Sequence, residues 1–167
     1  MKEIEEFLIN FIEKESEVFS GFPICPFAKK ERLTGNIKFF ACSHKKIEPE
    51  KVLMGVIEWL ESEQTTLLLV DNDNSSLRET KHFYKCVKVL LEKNDVFISI
   101  FHPSHPNNLS GVYTRRSPRP FLAVNANSDI RRAKSKLLKT RYYDKLTEED
   151  MGVLHPKKKK KWQKLKK

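Results

Sequence analysis

The chain has 167 residues and a formal net charge of +10 at pH 7. This length fits one domain, and a hydrophobic fraction of 39% is enough for one buried core. Apolar runs such as residues 67–70 are far too short to cross a bilayer, so no membrane partner is expected. The glycine-poor sequence contains neither a Walker-type phosphate loop nor a dinucleotide fingerprint, and we predict no cofactor.

The cysteines indicate a reducing compartment. Cys25, Cys42 and Cys86 are too few and too widely spaced to form a disulfide framework. The chain also does not open with the positively charged and then apolar segment that is typical of a secretory signal. We therefore expect an intracellular protein of the cytoplasm, or of the nucleus if the host is eukaryotic.

Most of the positive charge lies at the C-terminal end. Residues 157–167 contain eight lysines and no acid, which leaves 24 of the 32 basic residues against 22 acidic ones in the rest of the chain. Residues 115–145 nevertheless contain ten basic residues and two aspartates, which predicts a positive face. We divide the chain into a single α/β domain, residues 1–150, and a lysine-rich, flexible, disordered tail, residues 151–167.

Two helices are predicted before the first strand. Apolar residues recur at helical spacing over residues 4–19, which predicts an opening helix that ends near residue 21. Pro26 suits the first position of a second, short helix over residues 27–33. Cys25 would then lie at the N-terminal cap of this second helix.

The centre of the chain predicts a β-α-β-α-β unit. Strands are expected at residues 37–41, 65–70 and 95–101, with one helix at residues 49–63 and another beginning at residue 77. Ser76 and Glu79 fit a capping box at the start of the latter helix. This alternation favours a small, three-stranded, mainly parallel sheet flanked by helices. We expect a proline-rich loop over residues 103–120 and then a polar helix over residues 120–139.

Polar residues follow each of the three predicted strands. They are Cys42-Ser43-His44, Asp71-Asn72-Asp73-Asn74 and His102-Pro103-Ser104-His105. In open parallel sheets, ligands bind outside the carboxyl ends of the strands. We therefore expect these three segments to share one edge of the sheet.

Cys25 is the candidate reactive thiol. Free backbone N–H groups and the dipole at a helix N-terminus stabilise a thiolate, so we predict a lowered pKa for this cysteine. Lys29 and Lys30, one turn later, would strengthen the effect. The structural alternative is a small buried cysteine that fills a turn.

Three motifs resemble one protein family. They are Gly21-x-x-x-Cys25-Pro26-Phe27-Ala28, Phe101-His102-Pro103 and Tyr113-Thr114-Arg115-Arg116-Ser117-Pro118-Arg119-Pro120. Their order resembles the uncharacterised family called domain of unknown function 1415 over about residues 21–130. In the last motif Arg116 and Ser117 match the family pattern, as do both prolines, whereas Arg115 and Arg119 depart from it. The resemblance implies that cysteine, histidine and arginine motifs far apart in sequence belong to one design.

These motifs predict a site for a small anionic or thiol-containing ligand. Cys25 would act as a nucleophile or redox thiol, His102 as its proton partner, and Arg116 as the group that holds an anion. Ser117, Arg115 and Arg119 would complete the ligand-binding set.

Purely structural roles of the same residues are alternatives that stay open. His102 alone would fix the turn at Pro103, and the arginines would form a solvated basic loop. Zinc binding by Cys25, Cys42, His102 and His105 is a third alternative, but their spacing is not that of a metal site and we predict none. The sequence assigns neither an enzyme activity nor an oligomeric state.

Nucleic-acid binding is the second candidate function. The tail supplies Lys157, Lys158, Lys159, Lys160 and Lys161, followed by Trp162. The lysines would neutralise phosphates, and the indole would stack on a base. The arginine-rich face of residues 115–145 would enlarge this surface.

Overall fold

The structure, a computed structural model that describes residues 1–154, contains one mixed sheet of four strands. The strands are β1 (Ile37–Cys42), β2 (Thr66–Asp71), β3 (Val96–Phe101) and β4 (Phe121–Ala126), in the spatial order β1-β2-β4-β3. β1 and β2 are parallel, and β4 is antiparallel to both of its neighbours. β1, β2 and β3 therefore run in the same direction and end at the same edge.

The mixed α/β class is confirmed, but the prediction of three mainly parallel strands is wrong. Residues 121–126, which we assigned to a polar helix over residues 120–139, form β4 between β2 and β3. Phe121, Leu122 and Val124 are buried because both faces of this inserted strand are covered. A strand buried on both faces lacks polar alternation. The basic residues that follow it made the whole segment resemble an exposed helix.

Helices cover both faces of the sheet. The α-helices are α1 (Lys2–Phe7), α2 (Ala28–Leu33), α3 (Pro49–Leu60), α4 (Leu77–Leu90), α5 (Asn127–Leu137) and α6 (Glu148–Leu154). A π-helical turn, Leu8–Ile12, extends α1, and 3-10 turns lie at Glu17–Phe19 and Arg141–Tyr143. None of the helices within residues 1–154 has the length and apolar character needed to span a membrane.

The sequence signals at the helix ends are reproduced in part. The capping box of α4 is confirmed, with Ser76 Oγ accepting the Glu79 N–H and the Glu79 carboxylate accepting the Ser76 N–H. The opening helix ends earlier than predicted, at Ile12. α6 runs across the predicted domain boundary at residue 150. Of the predicted tail, residues 155–167 lie outside the described part of the chain.

The two faces of the sheet bury separate apolar clusters. Side chains alternate along a strand, so Leu67 and Leu69 of β2 point to the face covered by α3 and α4. Leu68 and Val70 point to the opposite face, which packs against α1 and the π-helical turn. A third cluster joins the N-terminal 3-10 turn, the loop after β3 and the C-terminal segment through Phe19, Leu109, Tyr142 and Leu146.

The close contact between α3 and β1 predicts a cost for enlarging Gly55. A Cβ atom at this position would lie 2.7 Å from Cγ of Phe40. We expect Gly55→Ala to lower the free energy of unfolding by about 1–3 kcal/mol, because the clash outweighs the better helix propensity of alanine. Urea denaturation measures the change. The control is Met54→Ala, since Met54 is 59% exposed in the same helix. Unchanged or increased stability of Gly55→Ala would contradict this packing.

Candidate functional site

The carboxyl ends of β1, β2 and β3 meet in what we call the carboxyl edge, as predicted. The backbone N–H of His44, just after β1, donates to Oδ1 of Asp71, the last residue of β2, over 2.8 Å. His102, just after β3, donates from Nε2 to the carbonyl oxygen of Ser75 over 3.0 Å. Hydrogen bonds thus join the segments that follow all three strands.

Asp71 is the central residue of this edge and is fully buried. Its Oδ2 accepts the Ser75 N–H over 2.6 Å, and its Oδ1 accepts the Ser75 hydroxyl over 3.1 Å as well as the His44 N–H. Its own backbone N–H donates to the carbonyl oxygen of Pro120, the residue before β4. Several hydrogen bonds offset the cost of burying a carboxylate. Asp71 therefore links the ends of β1 and β2 with the start of β4.

His44 is buried against the aromatic ring of Phe83 in α4. The two rings stack with their centroids 4.2 Å apart, and Nε2 lies 3.3 Å from the carbonyl oxygen of Leu69. Nδ1 is buried and has no hydrogen-bond partner among residues 1–154. Burial lowers the pKa of His44 to about 4, although the negative charge of Asp71 acts in the opposite direction. The ring is therefore neutral at pH 7.

His102 uses both ring nitrogens to hold the turn after β3. Nε2–H donates to the Ser75 carbonyl oxygen, and Nδ1 accepts the N–H of Ser104 over 2.9 Å. Its backbone N–H donates to the carbonyl oxygen of Arg115. These contacts match the structural reading of this histidine, because neither ring nitrogen is left to exchange a proton with a thiol.

Cys25 lies on the opposite face of the sheet from His44. It packs against the apolar cluster around α1, and its backbone N–H donates to the carbonyl oxygen of Ile12. Within the described residues, no hydrogen bond or charge interaction joins Cys25 to His102 or Arg116. Neither the predicted proton partner nor the predicted anion holder therefore interacts with the thiol.

The predicted lowering of the Cys25 pKa is wrong. Burial raises the pKa of the thiol, although the N–H groups of Phe27 and Ala28 donate to the sulfur and act in the opposite direction. The nearby carboxylates of Glu31 and Glu13 raise the pKa further. Cys25 also does not cap α2 as predicted, because the N-cap is Phe27. The N–H groups at the start of the helix still reach the sulfur, but desolvation outweighs them, and the nearby charges that act on the thiol are negative.

Strong polar contacts hold the segment around Cys25. The Arg32 guanidinium donates two hydrogen bonds to the Glu13 carboxylate, over 2.7 and 2.9 Å, in a largely buried pair. The Tyr142 hydroxyl donates to the carbonyl oxygen of Ile24. This pattern favours the structural interpretation of Cys25, as a partly buried cysteine in a well-anchored turn.

Arg116, the predicted anion holder, makes local contacts. Its guanidinium lies 3.4 Å from the ring centroid of Tyr113, and its Nε donates to the carbonyl oxygen of His105. A guanidinium stacked on an aromatic ring is held in place by cation–π attraction. Arg116 thus helps to order the loop that carries it.

Ser117 and Arg119 also have contacts within the protein. The Ser117 hydroxyl donates to the carbonyl oxygen of Arg119 over 2.7 Å, and a strand follows where a helix was expected. Nε of Arg119 is buried without a hydrogen-bond partner in residues 1–154 and lies 3.9 Å from the Glu3 carboxylate. This weak ion pair connects the loop to α1.

Arg115 differs from the other arginines of this loop. It is half-buried, and no group within residues 1–154 forms a hydrogen bond or ion pair with its guanidinium. Its nitrogens are not among the buried unpaired atoms, so they reach solvent. Burial lowers its pKa, and nearby Tyr84 acts in the opposite direction. Arg115 is therefore a partly desolvated cation without a counterion in the described structure.

His105 presents a hydrogen-bond donor close to Arg115. Its Nδ1 accepts the N–H of Asn107 over 3.2 Å, so the neutral ring carries its proton on Nε2. Nε2 has no partner within the described chain. Burial, the largest cause, and the positive charges of Arg115 and Lys81 together lower the pKa of His105 to about 4. Sequence reasoning placed His105 at the edge but gave no signal that the charge of Lys81 lies near it.

A metal site is not formed by the zinc ligands considered above. No group of three His, Cys, Asp or Glu side chains in the described part of the chain is arranged to hold a metal ion. Cys42 packs in the cluster under α3 and α4, whereas Cys25 packs in the cluster under α1. The sheet therefore separates two of the four candidate ligands.

Thiol chemistry at Cys25 is expected to be slow at neutral pH. In a Cys42→Ala/Cys86→Ala background, alkylation by iodoacetamide should show a midpoint above the value of about 8.5 that is typical of a free thiol, because burial disfavours the thiolate. The rate measured from pH 6 to pH 10 gives the midpoint. The same protein in urea is the control and should return to the free-thiol value. A midpoint below that of the unfolded chain would restore the reactive-thiol hypothesis.

Acid is expected to destabilise the fold through His44. A free histidine has a pKa of about 6.5, and that of His44 is about 4. In this window the unfolded chain binds a proton that the folded chain does not. Stability is therefore full above pH 6.5 and falls towards pH 4, by up to about 3 kcal/mol.

Urea denaturation between pH 7 and pH 4 measures this decrease. His44→Phe keeps a ring against Phe83 and removes the titrating group, so its stability should depend less steeply on pH. His105 contributes in the same direction and accounts for a remaining slope. An equal slope in both proteins would show that His44 is not the group responsible.

The predicted nucleic-acid residues Lys157, Lys158, Lys159, Lys160, Lys161 and Trp162 lie outside the described residues.

Comparison with known proteins identifies the family. Searches of curated proteins and of solved structures gave no match. The model of one family, described as "Protein of unknown function (DUF1415)", matches residues 14–164 of the 167. The predicted membership of this family is thereby confirmed, and the chain belongs to it.

Proposed function

We propose that this domain binds a small anion, a phosphate or a carboxylate, at the carboxyl edge. The guanidinium of Arg115 supplies the main positive charge, Nε2–H of His105 supplies a neutral donor, and Lys81 supplies a second positive charge. The observation that carries the proposal is that Arg115 is half-buried and has no counterion among residues 1–154.

The cost of desolvating Arg115 supports this assignment. Removing a cation from water without a partner is unfavourable. A bound anion offsets that cost, and a guanidinium forms paired hydrogen bonds with a carboxylate or phosphate. The other arginines of the loop have alternatives, since Arg116 stacks on Tyr113 and Arg119 lies near Glu3.

His105 suits this role in its neutral form. Its lowered pKa keeps the ring uncharged at pH 7, and Nδ1 is occupied by the Asn107 N–H. The proton therefore remains on Nε2, from which it is available to an anion. An anion at this position would stabilise the charged imidazolium and would raise the pKa of His105.

The proposal assigns no role in binding to Cys25 or His102. The pKa of Cys25 is raised, and its neighbours belong to the cluster under α1. The ring of His102 orders the turn through Ser75 and Ser104. The proposed activity is therefore ligand binding, without a thiol-dependent reaction.

Titration with inorganic phosphate tests the proposal. In NMR spectra of the histidine side chains, phosphate should shift the His105 resonances and raise the pKa of this residue. Arg115→Gln should weaken phosphate binding at least about tenfold, the scale expected for losing one charge-assisted contact of 1.5–3 kcal/mol. Acetate in the same titration distinguishes a carboxylate from a phosphate preference.

The matched control is Arg141→Gln. Arg141 is exposed and interacts with Asp144, so its replacement should leave phosphate affinity unchanged. Equal affinities of Arg115→Gln and the unchanged protein would refute the proposed site. The same conclusion follows if phosphate leaves the His105 resonances unmoved.

A further inference from the structure

The solvent-facing side of α4 carries a row of basic residues, which we call the basic stripe. Its members are Arg78, Lys81, Lys85 and Lys88, all exposed. At 3.6 residues per turn they fall within one quarter of the helix circumference, over a length of about 15 Å. The opposite side of α4 buries Phe83 and Val87 in the core. The stripe is thus fixed on a rigid, well-packed helix.

The charges of the basic stripe are not neutralised by the described residues. None of its four members forms an ion pair within residues 1–154. Glu79 is the only acid in α4, and its carboxylate is occupied by the N–H and hydroxyl of Ser76. The free positive charge of α4 therefore faces solvent.

The arginine-rich segment over residues 115–145 differs in this respect. At least five of its ten basic residues lie within 4.0 Å of a carboxylate: Arg119, Arg131, Arg132, Arg141 and Lys145. Residues 1–156 are almost balanced, with 24 basic and 22 acidic residues. A continuous row without acids is therefore a local concentration of charge and does not reflect a uniformly basic surface.

The shape of this surface narrows the class of partner. A helix that binds a lipid surface inserts an apolar face, but the apolar face of α4 is already buried against the sheet. A protein partner would require an apolar centre in the contact. The exposed apolar groups in the last turn of α4 are Val89 and Leu90, and at 100° per residue only Val89 of these two falls beside the stripe. What remains is a partner whose recognisable feature is a regular row of negative charges.

We infer that the basic stripe binds the phosphate backbone of a nucleic acid. One strand of a duplex presents a phosphate about every 3.4 Å along the axis, so the length of the stripe corresponds to about four phosphates. Such contacts are independent of sequence. The inference does not rest on the proposed anion site, although Lys81 borders both.

The test uses the full chain with a labelled, mixed-sequence DNA duplex and a single-stranded RNA of about 20 residues, a length that exceeds the stripe. Binding is measured by fluorescence anisotropy at several salt concentrations. The stripe variant is Arg78→Gln/Lys81→Gln/Lys85→Gln/Lys88→Gln. The control has the same loss of charge at exposed lysines outside α4: Lys14→Gln/Lys29→Gln/Lys30→Gln/Lys139→Gln.

We expect the stripe variant to bind the tighter probe at least about tenfold more weakly, and its salt slope to fall by about 3. The control should stay within threefold of the unchanged protein. The smaller variant Lys85→Gln/Lys88→Gln should show about half of this decrease in slope. Because both residues lie away from the cap of α4, this variant tests the inference even if the larger variant misfolds.

Three results would overturn the inference. One is equal weakening in the stripe and control variants, which would reflect net charge alone. Another is unchanged binding in the stripe variant, which would assign any affinity to residues outside α4. The third is a stripe effect on anionic lipid vesicles without one on either nucleic acid. Loss of phosphate binding in Arg115→Gln with intact nucleic-acid binding would separate this surface from the small-anion site.

Discussion

The buried carboxylate of Asp71 is the interaction on which the carboxyl edge depends. It is held by backbone and side-chain donors from the segments after β1 and β2, and its own N–H reaches the residue before β4. A buried charge is tolerated only when its hydrogen-bonding capacity is used. The positions of His44 and Ser75 follow from this requirement, and Ser75 in turn fixes the ring of His102. The arrangement of the carboxyl edge therefore depends on the hydrogen bonds of one carboxylate.

The sheet separates residues that the sequence motifs predicted to form one site. Cys25 packs under α1, where burial raises its pKa. The histidines that follow the strands lie at the carboxyl edge, with His44 against Phe83 of α4 and His102 against Ser75. Motifs that were predicted to act together thus need not form one reacting group. Here each motif anchors a different turn of the same domain, and Arg115 is half-buried without a hydrogen-bond or ion-pair partner among residues 1–154.

Much of the fold was predictable from local chemistry. The capping box of α4, the proline before α2 and the apolar strands each have a short-range cause, and the residues after β1, β2 and β3 meet as expected. The site was less predictable because its properties arise from burial. The dipole argument for Cys25 was correct about the N–H donors but could not include desolvation or the carboxylates of Glu13 and Glu31. Nor does spacing reveal that His105 and Lys81, 24 positions apart, come close.

The insertion of β4 between β2 and β3 has a consequence for the order of assembly. β1, α3 and β2 form a parallel unit from neighbouring parts of the chain, but β3 pairs with β4 alone among the described strands. During synthesis, β3 therefore emerges with no neighbour to join until the chain has been made as far as Ala126. An apolar strand that waits for its partner is exposed to association with other chains. The late strand thus completes the core and also ends the period in which the nascent domain is most prone to aggregate.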